Sequence, residues 1–351
     1  MKNLLFILIF LIIKCGEHKG IKGEIFQPVT EDGWKITVEH FLPKPGSPKR
    51  KYPAVFLHGI VENRKVYSLN GDKSFVKNFT DSGYDVWTFD LRGKKEADDS
   101  SWFFGKRTYN YSFDEHCRYD ADTALNFILK ASGTDKVNWI GHSMGGMVMY
   151  MRIGTMNENR VANLVTLGSP FLFPFPSWKL KIQKKAGFFT PLFWVIPSGF
   201  FSRIMGYTGL PMMNEQYLSS MYWYPPNLGE ENEKELFKYG IDDESPKLLA
   251  QFAESLGEWS YRSKDGKTDF TENLRNIHIP ALLVAGRRDH MGSPYQVRYV
   301  YDRISSRDRT MMVIGRTEGK SEDYGHVDLV ISKDSVKDIQ MPIIEWLNRR
   351  N

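Results

Sequence analysis

Val137-Asn138-Trp139-Ile140-Gly141-His142-Ser143-Met144-Gly145-Gly146-Met147-Val148-Met149-Tyr150-Met151 reads as a strand, a tight turn and a helix, apolar before and after a glycine-rich corner. A serine at such a corner is forced into a strained backbone conformation that lifts its hydroxyl clear of the sheet. The strand and helix then pass so close that only glycine fits two residues either side. Gly141 and Gly145 meet that demand, so Ser143 reads as a nucleophile.

Working outward, residues 53–57 form a short continuous apolar run of the kind that fills a central parallel strand. His58-Gly59-Ile60 follows it. A serine nucleophile needs backbone N–H groups aimed at the developing oxyanion, and a glycine lets the chain turn tightly enough to supply one. The N–H groups assigned to this are those of Ile60 and of Met144, directly after the nucleophile. Residues 24–29 and 35–41 flank the turn Glu31-Asp32-Gly33 as an opening hairpin. A helix over 74–82 stopping at Gly83, a strand over 85–89, an amphipathic helix over 114–131 and a strand over 164–167 continue the alternation. On the longer helix Cys117, Ala121, Ala124, Leu125, Ile128 and Leu129 share one face, which reads Cys117 as a core residue. The pattern predicts an α/β protein with a mostly parallel central sheet and helices on both faces.

Residues 170–272 break the pattern. Phe171, Phe173, Phe175, Trp178, Phe188 and Phe189 open an aromatic-rich stretch that continues through Trp194 to Tyr224 among prolines and glycines, with no run reading as a central strand. This predicts an inserted cap between core segments 24–169 and 273–351. Some of these aromatics are expected to line an apolar cleft above Ser143, the others to be the cap's own core. Lys179, Lys181, Lys184 and Lys185 form a basic cluster within it, read either as a solvated face or as attraction to anionic lipid.

The sheet resumes at 279–286 and ends in Arg287-Arg288-Asp289. A carboxylate at a strand's C-terminal end can orient a histidine and stabilise its cation. The preceding strand ends in Gly168-Ser169-Pro170, which offers no acid, so Asp289 takes that role. A helix near 296–304 and a strand over 310–314 lead to Tyr324-Gly325-His326-Val327-Asp328-Leu329, where His326 reads as the general base. His290 is the rival, but residues adjacent in sequence cannot easily point side chains into a linear array with Asp289. A last helix over 336–348 presents Val336, Ile339, Ile343 and Leu347 to the sheet.

Of the 351 residues, 41% are hydrophobic, 25% charged and 14% aromatic, and the net charge of +5 is mild. Two of those charges, Lys2 and Lys14, flank the apolar stretch 4–13, which has the layout of an export signal over 1–14 and is too short to span a bilayer. That balance argues against nucleic acid as partner. Cys15 stands where bacterial lipoprotein signals keep a lipidated cysteine, although Lys14 replaces the usual small residue, so lipid anchoring, plain secretion and an uncleaved signal all stay open. With two cysteines a disulfide framework is excluded, and no metal-ligand cluster or phosphate loop calls for a cofactor.

The stretches Asp81-Ser82-Gly83-Tyr84-Asp85-Val86-Trp87, Arg92-Gly93, Tyr111-Ser112-Phe113-Asp114-Glu115 and Tyr119-Asp120, with Gly141-His142-Ser143 and His326-Val327-Asp328, resemble the acid lipases, the gastric and lysosomal lipase family of α/β hydrolases. The resemblance covers most of 24–169 and 273–330 and is weak over 170–272. It implies the α/β-hydrolase fold and the chain order nucleophile, acid, histidine, matched here by Ser143, Asp289 and His326. The chain departs from the family at Met144, where the family has Gln. Gly145-Gly146 with Cys15 looks more like bacterial serine hydrolases. The sequence thus points to an exported hydrolase of carboxylic esters acting through an acyl-enzyme on ester or lipid substrates, with a membrane surface as a further partner. An acyltransferase using the same three residues and a non-catalytic binding protein on the same fold are the alternatives, and oligomeric state is not readable.

Overall fold

Strands β1 (Glu24–Phe26), β2 (Thr37–Phe41), β3 (Ala54–Leu57), β4 (Val86–Asp90), β5 (Val137–His142), β6 (Val161–Leu167), β7 (Ala281–Gly286) and β8 (Arg309–Ile314) form one sheet in the order β1-β2-β4-β3-β5-β6-β7-β8. The computed structural model describes residues 20–97, 109–174, 176–209 and 221–350, and the expected export signal and Cys15 lie outside them. β1 and β2 run antiparallel to their neighbours, as the hairpin reading requires, and every later pairing is parallel. This is the α/β-hydrolase fold. β3, β5 and β7 are buried along their whole length, which is why they read as continuous apolar runs, whereas β8 closes the edge and is half-exposed.

Alternation along the strands divides the core between two faces. Val55, Leu57 and Trp139 pack with α2 (Ala121–Ser132), α3 (Met144–Met156) and α7 (Pro294–Arg303), and Ala54, Phe56 and Ile140 with α1 (Phe75–Asp81) and α8 (Met341–Asn348). Between β6 and β7 come α4 (Trp178–Gly187), α5 (Ser198–Thr208) and α6 (Pro246–Ser255), and no strand of the sheet lies among the described residues of that segment. Ser74 caps α1 by accepting from the Lys77 N–H, and Gly133 ends α2 at φ +66.

Two helices differ from their expected form. The predicted helix over 114–131 contains a wide turn at His116–Asp120, and the one over 336–348 opens with another at Val336–Gln340. In the first, buried Asp120 accepts from Arg92 at 2.8 Å and from His116 at 2.8 Å, so the wider turn sits where an acid is held inside the helix–sheet interface. In the second, Ile339, Ile343 and Leu347 are buried as expected and Val336 is half-buried. Cys117 is a free, buried thiol. No helix among the described residues is long and apolar enough to cross a membrane.

The register brings the C-terminal ends of the central strands level. Leu57 of β3 pairs with Gly141 of β5, and His142 of β5 with Leu167 of β6. The loops beginning at His58, Ser143 and Gly168 therefore emerge side by side.

Candidate active site

Ser143 lies at φ 50, ψ −117 between β5 and α3, one of four non-glycine residues with positive φ among those described. Such a conformation costs on the order of 1–3 kcal/mol and persists only where the surroundings over-determine it. Here its N–H donates to the Leu167 carbonyl at 2.8 Å and its own carbonyl accepts from Gly146 and Met147. The glycines at the corner are required by contact: a Cβ on Gly141 would lie 2.4 Å from Gly145 and Gly146 backbone, and one on Gly145 would lie 2.2 Å from the Leu57 carbonyl oxygen.

Asp289 and His326 meet directly, Nδ1 of the histidine donating to Oδ2 of the carboxylate at 2.8 Å. The other carboxylate oxygen accepts the N–H groups of Met291 and Gly292 at 2.8 and 2.7 Å, so the acid is fixed at both oxygens. This pairing fixes the tautomer and leaves Nε2 of His326 as a proton acceptor. Both side chains pack on Gly168, where an added Cβ would come within 3.0 Å of each, one residue beyond the carbonyl that holds the Ser143 N–H. His290 is exposed and the carboxylate of Asp289 is directed to His326.

Ile60 and Met144 line the same pocket as Ser143. Met144 stands at the first helical position, where no earlier carbonyl of the helix accepts its N–H. The orientation of the Ile60 N–H follows from His58. Burial, helped by the nearby Lys94 charge, pushes the His58 pKa down to about 3, so the ring is neutral. Its Nε2 accepts from the Leu91 N–H at 3.4 Å, and its Nδ1–H donates to the Gly59 carbonyl at 2.8 Å. In a trans peptide the N–H points opposite to the C=O, so pulling the Gly59 carbonyl toward His58 turns the Ile60 N–H the other way.

Three buried acids hold the surrounding loops; Glu62 and Glu244 did not stand out in the sequence, and Asp328 did so only as part of the His326-Val327-Asp328 motif. Glu62 Oε2 accepts the Gly59 N–H at 2.7 Å and bonds His142 Nδ1 at 2.8 Å, while His142 Nε2 donates to the His326 carbonyl at 3.2 Å. Burial opposes both charges, yet each partner outweighs it, holding the Glu62 pKa down and the His142 pKa up, both in the direction of the ionic pair. Glu244 accepts from Lys94 at 2.8 Å, from the Tyr111 hydroxyl at 3.0 Å and from the Val61 N–H at 3.3 Å. Asp328 accepts the N–H groups of Gly325 and Tyr224 and the Asn227 amide, tying the His326 loop to residues 224–227. The only signal for Glu62 is spatial, since it and His142 stand 80 residues apart.

The remaining pocket walls are apolar. Phe113 and Met147 come from the core, and Phe173, Leu248, Phe252 and Tyr261 from the segment between β6 and β7. The enclosed space is about 10 Å³, the room of about one water molecule. Of the aromatics expected to line a cleft, Phe173 does so. Phe171 is buried against Tyr150 and Tyr261, whereas Trp178, Phe188, Phe189, Phe193 and Trp194 face solvent, and Phe175 lies outside the described residues.

A family described as having the alpha/beta hydrolase fold matches residues 52–330. A tear acid lipase-like protein of Mesocricetus auratus is 22% identical over 366 residues, covering 92% of this chain and 87% of that protein. Lipase member N of Homo sapiens is 28% identical over 210 residues, covering 55% of this chain and 48% of that protein, so the chain spans about half the length of that relative. Among solved structures, an esterase from Exiguobacterium antarcticum superposes with a TM-score of 0.60 at 16% identity, covering 92% of this chain and 98% of that one.

Asp328 supplies a pH test of the histidine loop. Burial raises its pKa from 3.8 to about 7, against the three hydrogen bonds it accepts. A carboxyl that binds its proton more tightly folded than unfolded contributes stability that is complete below about pH 4 and lost as pH rises through about 7. Thermal unfolding is therefore expected several degrees higher at pH ~5 than at pH ~8, and Asp328→Asn should remove that component. A wild-type and variant Tm difference that stays constant across this range would contradict the assignment.

Proposed function

Because the chain belongs to the α/β-hydrolase fold family, whose model matches residues 52–330, we propose that it is a serine hydrolase of carboxylic esters with apolar acyl groups, acting at a lipid surface. The observation that carries the proposal is the strained Ser143 corner opening into the same apolar pocket as Ile60 and Met144. In this reading Ser143 attacks the acyl carbonyl and His326 Nε2 takes its proton, later returning it to the leaving alcohol. Asp289 holds the imidazole and balances its charge. The N–H groups of Ile60 and Met144 receive the oxyanion, and water attacks the acyl-enzyme by the same route in reverse. Glu62 acts as a positioning residue for the loop that carries Ile60, holding it through the Gly59 N–H.

Segment 170–272 serves in this proposal as a cap. The pocket as it stands holds about one water, so an acyl chain enters when Phe173, Leu248 and Phe252 part from Ile60 and Met147. The cap's outer surface supports a lipid partner: Phe188, Leu192 and Trp194 are 79%, 77% and 79% exposed, and Lys181 and Lys185 of the preceding helix are exposed too. Contiguous apolar surface flanked by cations is what an anionic bilayer interface binds. The export signal read over 1–14 would deliver the chain to such a surface.

Ser143→Ala and His326→Ala are each expected to lower kcat on p-nitrophenyl esters by about 10⁴-fold or more with folding intact, while His290→Ala stays near wild type. An active His326→Ala with an inactive His290→Ala would overturn the base assignment. Glu62→Gln should reduce kcat by about 10–100-fold and leave KM nearly unchanged, the signature of a lost transition-state donor rather than lost substrate contact. Each buried methylene is worth about 0.8 kcal/mol, so lengthening the acyl group from about two to eight carbons should raise kcat/KM by roughly a hundredfold or more. A profile that peaks at acetate argues against the acyl pocket. Replacing Phe188 and Trp194 by Ala, or Lys181 and Lys185 by Glu, should weaken binding to anionic vesicles and spare hydrolysis of soluble short esters. Equal vesicle binding by all of these would exclude this face as the docking surface.

A further inference from the structure

A second cavity, about 140 Å³ with a polar wall, shares no lining residue with the pocket at Ser143. It is bounded by Asn63–Lys65, by the chain from Asp90 to Glu96, and by residues 203–207 and 238–242 of the segment between β6 and β7. Backbone bonds from Asn63 N to Gly240 O and from Asp242 N to Val61 O join two of its walls.

Five cations line it, Arg64, Lys65, Lys95, Arg203 and Lys238, with three carboxylates, Asp90, Glu96 and Asp242. The carboxylates are already engaged. Arg64 donates to Asp90, to Glu96 and, behind the wall, to Glu39. Lys65 also bonds Glu96. Asp242 accepts from Arg203 at 3.3 Å, from the Asn63 amide at 3.1 Å and from the Lys95 N–H at 3.3 Å. Three cationic donor groups are left over. Arg203 Nε–H is buried with no acceptor among the described residues, an arrangement that costs about 1–3 kcal/mol unless a ligand or water supplies one. The Lys95 ammonium pairs with no carboxylate within 4 Å among the described residues. The Lys238 ammonium sits 5.4 Å from the Tyr207 ring centroid. Partial burial and the like charges of Arg203 and Lys65 depress the Lys95 pKa, the mark of cations gathered without enough anion between them.

We propose that this cavity binds a phosphoryl anion, either free phosphate or the phosphate of a lipid headgroup, through Arg203, Lys95 and Lys238. Three donors arriving from three separate stretches of chain match an anion that offers several oxygens in different directions, which a halide does not. Since a water occupies about 30 Å³ of liquid, the cavity is roomy enough for a tetrahedral oxyanion. Lys95 follows β4, whereas Arg203 and Lys238 belong to the segment between β6 and β7, so a bound anion would bridge that segment to the core.

Binding is measured on full-length Ser143→Ala protein, so that the result is independent of the hydrolase reading. Inorganic phosphate is titrated calorimetrically at constant ionic strength, with chloride as control, and water-soluble dihexanoyl phosphatidic acid is titrated below its micelle concentration. Saturable binding of phosphate or of the lipid, weakened tenfold or more by Lys95→Gln and by Arg203→Gln, is the expected result. Tighter binding of the lipid identifies a headgroup, and equal or tighter binding of phosphate identifies the free anion. Lys95 makes no side-chain ion pair among the described residues, so Lys95→Gln tests the site even where loss of the Arg203–Asp242 contact disturbs folding. No saturable binding of either probe, or binding unchanged in Lys95→Gln, overturns the proposal.

Discussion

One carboxylate oxygen, Oε2 of Glu62, accepts from the loop after β3 and bonds the turn that ends β5. The geometry of the candidate site depends on that junction. Gly59 and His142 are each one residue from a group assigned to the chemistry, Ile60 on one side and Ser143 on the other. Binding both to the same oxygen fixes their separation. His142 then reaches the His326 carbonyl, so the third loop is drawn into the same network. Breaking a buried ion pair from one side leaves an uncompensated charge at about 3–5 kcal/mol, which makes the arrangement resistant to drift.

Glu244 and Asp328 repeat the device from the segment between β6 and β7. Glu244 joins Lys94 to the Val61 N–H, and Asp328 joins the His326 loop to Tyr224 and Asn227. Residues 224–244 are thus bound to the core by buried polar contacts. Residues 178–194 make few such contacts and expose several of their aromatic side chains. The difference matters for substrate entry, because separating apolar walls costs little beyond the area exposed, whereas separating Lys94 from Glu244 would strand two charges in a dry interior.

The parts of the structure legible in the sequence are those whose cause is local. The apolar runs of β3, β5 and β7, the glycines around Ser143 and the chain order of Ser143, Asp289 and His326 each carry their signal in a few adjacent residues or in a simple sequence order. The wide turns at His116–Asp120 and Val336–Gln340 were not legible, because one extra residue in a helical turn barely alters the apolar periodicity around it. Composition marked 170–272 as rich in aromatics but carries no direction, so Phe173 at the pocket and Trp194 in solvent look alike until packed. Glu62 was invisible for a related reason: an acid in a loop is ordinarily solvated, and its burial follows from the close approach of two strand ends.

The same two strand ends are joined a second time by a neutral group. The Tyr67 hydroxyl donates to the Leu57 carbonyl at 2.8 Å and accepts the His142 N–H at 3.1 Å. Burial, with the Glu62 charge nearby, pushes its pKa well above the ordinary phenol value, which favours the protonated hydroxyl that donates. Leu57 is the last residue of β3, and His142 is the last residue of β5, directly before the strained serine. The positive φ of Ser143 is therefore flanked by a fixed N–H on the strand side and by the first bonds of α3 on the other. Relaxing it would require breaking one set or the other, each bond worth about 0.5–1.5 kcal/mol net and more where a buried group is left unpaired. That total is comparable to the strain of on the order of 1–3 kcal/mol, which is why a serine can be held in a conformation that an unrestrained chain would leave.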